Sequence, residues 1–179
     1  IQANLPPPGD PKVIITETHI EDAIKYCHGS APGSDGIPYY AYKAMAEIAI
    51  PILLAIATSL TSEFPLVPPE DFSWAYLVCL PKKPSKVDPI HGEVFAPSKT
   101  RPLSIVNTDN RLIAGAIRLA MEPIFNNWIS ESQGGFRSGR SMMANVLDVE
   151  HTSMEFSLTN KNAALIFFDF EAAFPSLSH

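Results

Sequence analysis

Seventeen prolines in 179 residues outline what this chain can fold into. Proline has no amide hydrogen and a locked φ, so it interrupts helix interiors and central strands. Together with nine glycines, it demands many short elements joined by turns. Apolar residues still make up 46% of the chain, enough for a buried core and too many for a disordered tail. The longest apolar run, residues 44–60, carries Glu47 and Pro51 and reads as a buried helix, not a membrane span. Cys27 and Cys79 have neither zinc-ligand spacing nor a disulfide framework, which points to a reducing, intracellular compartment.

Residues 1–15 read as a Pro-rich extended lead-in with no signal peptide. Thr18 and Glu21 fit a capping box. Behind them Ile20, Ala23, Ile24 and Cys27 share one helical stripe that Gly29 closes. The 31–38 stretch, APGSDGIP, is turn chemistry throughout, and residues 39–63 form a helical pattern bent at Pro51. SWAYLVCL at 73–80 has the composition of a strand ended by Pro81. A loose loop to Thr100 and a return strand at 103–106 complete a hairpin. Thr108 or Asp109 caps the next helix, whose stripe is Leu112, Ile113, Ala116, Ile117, Ala120, Met121 and Ile124. A glycine-rich basic loop at 134–140 leads to a helix from Ser141 to about Ser157. ALIFF at 164–168 reads as a fully apolar strand ending on Asp169. The fold class expected is mixed α/β, of the α+β kind.

The net charge of −6 argues at first against a nucleic-acid partner. Its distribution argues the other way, because residues 81–140 hold nine Lys/Arg against five acids. Cations clustered on an acidic chain make a local anion site, or else a solvated charged face.

Asp169 ends the chain's most apolar segment. A carboxylate at the mouth of a buried strand is costly unless a cation or donor meets it. Phosphoryl transfer uses one or two such carboxylates to hold Mg²⁺; a cap on the following turn is the plainer role. Asp169 is followed by Phe170, then Ala173 and Phe174, and this pattern resembles the first palm motif of reverse transcriptases. Three upstream segments resemble the non-LTR (LINE-type) retrotransposon enzymes in the same order. APGSDGIP at 31–38 is similar to their A-P-G-x-D-G-I-P loop. LPKK at 80–83 and RPLSI at 101–105 are similar to their fingers hairpin. QGGFRSGRS at 133–141 is similar to the Q-x-G-F-x-x-G-x-S segment before the palm. Ser30 stands where many relatives have Lys, and Pro175 where Asp is commoner.

The resemblance spans residues 20–179 and implies the fingers and first palm strand of a right-hand polymerase. Residues 16–179 would be the N-terminal part of the reverse transcriptase domain, ending before its second catalytic motif. The remaining palm, the thumb and any endonuclease domain would belong to a longer parent. Asp169 is implied as catalytic residue and ligand of Mg²⁺ or Mn²⁺. Lys82, Lys83, Arg101, Phe170 and Phe174 are implied to meet the incoming dNTP, with Phe174 excluding a 2′-hydroxyl. Gly33, Gly36, Gly135, Arg137 and Arg140 would face the RNA template and DNA primer. No membrane is expected, and the setting would be nuclear or cytoplasmic. A non-catalytic RNA-binding scaffold of the same fold, or a decayed retroelement copy, is the second reading.

Overall fold

The computed structural model describes residues 13–130, 132–135 and 138–169. The fold is mixed helix and strand with small antiparallel sheets. The chain divides into two units, Ile1–Trp128 and Ile129–His179.

The first unit is built on helices α1 (Glu17–Lys25), α3 (Ala46–Leu60) and α4 (Thr108–Trp128). Ile15, Ile20, Ile24, Leu53, Ala57, Leu112, Ile113 and Ala116 form its buried core. The α1 and α4 stripes expected from periodicity therefore face inward. Burying each such aliphatic side chain contributes about 1.5–3 kcal/mol. Where α1 crosses α4, a Cβ on Gly115 would lie 3.7 Å from that of Ala23, an ordinary contact.

Several boundaries differ from expectation for local reasons. The N-cap of α1 is Thr16 and not Thr18. The Thr16 amide donates to Nδ1 of His19 at 3.1 Å, the task that Glu or Gln performs in the usual box. The helix ends at Lys25, before Gly29. The single helix expected over 39–63 is two, α2 (Tyr39–Ala44) and α3, parted at Met45. Pro51 lies inside α3, near its start, where its ring crowds the carbonyl four residues earlier and no amide can bond to it. Helix α4 begins at Thr108 and not after it, so the expected cap falls inside the helix.

Strands β1 (Ala75–Pro81) and β4 (Thr100–Val106) pair antiparallel, from Ala75↔Val106 to Pro81↔Thr100. The expected hairpin is present, and its return strand starts three residues earlier. The Lys82 amide donates to the Lys99 carbonyl at 2.9 Å, one step further in the same register. Alternation then makes Leu80/Arg101 and Val78/Leu103 hydrogen-bonded pairs. Pro81 and Pro102 fall between them, where an amide would point away from the partner strand. The ladder loses nothing to either proline.

The connection between β1 and β4 is not a loose loop. It holds β2 (Lys86–Asp88) paired with β3 (Gly92–Val94), then a 3₁₀ turn at Pro97–Lys99. Asp88 closes the tight turn: its Oδ1 accepts from the amides of Ile90 and His91 and lies 3.1 Å from His91 Nδ1. Those donors hold its carboxyl below the usual range, the His91 amide most of all.

The second unit contains α5 (Met142–Thr159), capped as expected by Ser141, whose hydroxyl accepts from the Ala144 amide at 3.4 Å. One expectation fails here. Residues 163–169 take no regular secondary structure, and Leu165, Ile166, Phe167 and Phe168 are exposed. The palm strand expected at 164–168 is therefore not formed. A strand apolar on both faces belongs inside a sheet, with neighbours to complete its ladder, and among the described residues it has none.

Candidate nucleotide-binding and nucleic-acid-binding residues

Hairpin pairing brings the predicted triphosphate cations together. Arg101 faces Leu80 across the β1–β4 pair, and Lys82 faces Lys99 one step further. The backbones of Lys82, Lys99 and Arg101 thus lie side by side at the hairpin tip, Lys99 as the last residue of the 3₁₀ turn and Arg101 within β4. Lys83 lies in the bend beyond, and Lys86 opens β2. Lys82, Lys83, Lys99 and Arg101 are all exposed. The ion pairs among the described residues are Asp88–His91 and Arg118–Glu122, and neither involves a cation of this tip. Like charges facing each other across strands oppose the pairing, and a bound anion would relieve that cost. Lys99 is the residue that the motif reading missed; a hairpin register drawn from Pro81 and Thr100 would have found it.

The 31–38 loop is fastened to the junction of β4 and α4. Asn107, just ahead of α4, turns its side chain outward, so that Oδ1 accepts from Ser34 Oγ and the Asp35 amide, both at 3.2 Å. Buried Thr108 donates its hydroxyl to the Ile37 carbonyl at 2.7 Å. Arg111 donates to Ser30 Oγ at 2.8 Å and to the Ala31 carbonyl at 2.6 Å, with its guanidinium 5.0 Å from the centre of the Tyr39 ring. Arg111, one of the nine cations in the basic segment, is thus spent inside the fold. Ser30 serves here as an acceptor for Arg111.

Two predicted site glycines have clear reasons to be glycine. A Cβ on Gly33 would sit 2.5 Å from the Asn107 amide nitrogen and Cα, a clash with backbone that no rotamer relieves. Gly36 has φ of +72°, open to glycine at little cost. The amides of Asp35, Gly36 and Ile37 bond within the fold, to Asn107 Oδ1, the Gly33 carbonyl and Asp35 Oδ1. These three are not the donors that a phosphate would meet.

In the second unit, Gly135 and Arg140 flank the start of α5. A Cβ on Gly135 would meet its neighbours no closer than 3.7 Å, at Gln133 Nε2. Arg140 is exposed and, with Gly134, Asp148, Thr152 and Phe156, lines an open groove of about 700 Å³ along α5. Arg137, Phe170 and Phe174 lie outside the described residues.

Asp169 is exposed, at the end of the irregular run. Among the described residues, no group of three or more His, Cys, Asp or Glu is placed to hold a metal. Mg²⁺ commonly takes one or two carboxylates and fills its shell with substrate phosphates and water. Asp169 fits that need as one ligand.

No described helix is long and apolar enough to cross a membrane. No protein-family model matches the chain, and no curated protein matches it.

Proposed function

We propose that this chain is the nucleotide-handling and template-handling front of an RNA-directed DNA polymerase, in which the β1–β4 tip receives the triphosphate of an incoming dNTP. The observation that carries the reading is the hairpin register. It brings the backbones of exposed Lys82, Lys99 and Arg101 together at the tip, and none of the three forms an ion pair among the described residues. Three neighbouring cations suit a polyphosphate better than a single anion, and guanidinium adds bidentate geometry. The order of the four sequence segments supplies the rest of the reading.

In this assignment Lys82, Lys83 and Arg101 bind and orient the phosphates, so that charge developing during transfer meets fixed cations. Asp169 would hold Mg²⁺ or Mn²⁺, which when bound supplies further charge neutralisation at the reacting phosphate. Phe170 and Phe174 would meet the sugar of the same nucleotide. Gly33, Gly36, Gly135, Arg137 and Arg140 would track the backbones of RNA template and DNA primer without reading sequence. The working setting would be the nucleus or the cytoplasm.

Triphosphate binding to the 179-residue chain tests the first step without any need for catalysis. A fluorescent dNTP should bind in a salt-sensitive manner and weaken about tenfold or more in Arg101→Ala, with Lys82→Ala weaker in effect. Binding unchanged by both substitutions would return the tip to a solvated surface. In a polymerase that contains this segment, Asp169→Asn should abolish primer extension while sparing template binding. If extension survives that change, the non-catalytic scaffold reading replaces this one.

A further inference from the structure

Helix α3, AEIAIPILLAIATSL, has Glu47 as its one charged residue. A helix so uniformly apolar is normally covered on every side. The core of this unit covers one side, where Leu53 and Ala57 are buried. Met45, Ile48 and Ile52 recur on another side at i, i+3 and i+7. They remain 53, 65 and 54% exposed.

Those three residues are not a flat patch. With Tyr42 and Asp109 they line a cavity of about 220 Å³. A cavity of about 150 Å³ accepts a benzene-sized group, so this one holds a single large side chain. Its lining is apolar apart from the Tyr42 hydroxyl and the Asp109 carboxylate. Burial and then the carboxylates of Asp109 and Asp35 push the Tyr42 phenol up to about 12. The cavity thus pairs an apolar wall with one carboxylate, that of Asp109.

That combination selects among possible occupants. An acyl chain would fill the wall and leave the carboxylate unused, and an anionic headgroup would be repelled by it. A second copy of the chain would bring its own Asp109 to the same face. An amphipathic helix bearing a cation satisfies both wall and carboxylate, by the helix-in-groove mode.

We propose that this face of α3 docks an amphipathic helix of a partner protein, one large apolar side chain entering the cavity and a Lys or Arg meeting Asp109. The inference is independent of the polymerase reading.

The probe is a displayed library of helix-forming 18-residue peptides, selected on the full 179-residue chain. Enriched peptides should share two apolar residues three or four apart with a Lys or Arg one turn away. A synthetic enriched peptide should bind about tenfold more weakly to Asp109→Asn, and more weakly still to Ile48→Glu. Ile48→Ala, which introduces no charge, should show an intermediate loss and so guards against misfolding in Ile48→Glu. Four outcomes would overturn the proposal: no enrichment, an acidic consensus, affinity indifferent to all three substitutions, or a face used instead for self-association or vesicle flotation and silenced by Ile48→Glu.

Discussion

The two units treat the same kind of helix in opposite ways. In the first, α1 and α4 turn Ile20, Ile24, Leu112 and Ile113 inward until each is 4% exposed or less. In the second, α5 carries Met142, Met143, Val146, Leu147, Met154 and Phe156, and all of them stay more than half exposed. Both segments are rich in apolar residues. The difference starts in the pattern: α1 and α4 gather their apolar residues on one stripe that meets the core, whereas α5 spreads them around the helix. Helix formation is local, whereas most of a protein helix's stability comes from packing its apolar face.

The largest expected effect measures that contrast directly. Ile20→Ala should cost about 2–5 kcal/mol through lost contact and a residual cavity, read as a lower melting temperature of the whole chain. Val146→Ala, on an exposed face, should change stability by no more than about 0.5 kcal/mol. Equal losses would mean that α5 is packed after all, and the contrast between the units would fail.

A second pair of substitutions sharpens the comparison at the level of loops. Gly33→Ala drives a Cβ into the Asn107 backbone and should cost about 1–3 kcal/mol, with faster amide exchange across residues 30–38. Gly135→Ala finds room and should be close to neutral. A tolerated Gly33→Ala would show that the loop is free to move off Asn107.

Thr108→Val comes next. It keeps the volume but strips the Ile37 carbonyl of its donor, a loss of about 0.5–1.5 kcal/mol for a partly buried hydrogen bond. Thr108→Ser should recover most of it, since the hydroxyl returns. If Val and Ser behave alike in thermal unfolding, the methyl group and not the hydrogen bond holds the loop.

The smallest effect is confined to high pH. Because Tyr42 is raised to about 12 in the fold and sits near 10 when unfolded, the folded state retains its proton longer. Stability from this group is level below pH 10 and falls as pH rises from 10 towards 12. Tyr42→Phe should flatten that part of the curve of melting temperature against pH. Identical curves for the two proteins would place the Tyr42 hydroxyl in open solvent.

Much of this chain was legible from residue order alone. Helix periodicity identified the buried stripes of α1 and α4, aromatic and β-branched content marked β1, and Ser141 announced α5. These signals are local, carried by 3.6-residue and two-residue repeats and by caps. Tertiary structure decided what each polar group does. Arg111 and Lys99 look alike as cations in a basic segment; packing spends Arg111 on Ser30 and Ala31, and strand register sets Lys99 beside Lys82 and Arg101. The residues that bring these partners together are 70 to 80 positions away for Arg111 and 17 for Lys99, beyond any helical or strand repeat. ALIFF shows the converse limit, since its composition asks for a strand but a strand exists only where a neighbouring backbone completes its hydrogen bonds.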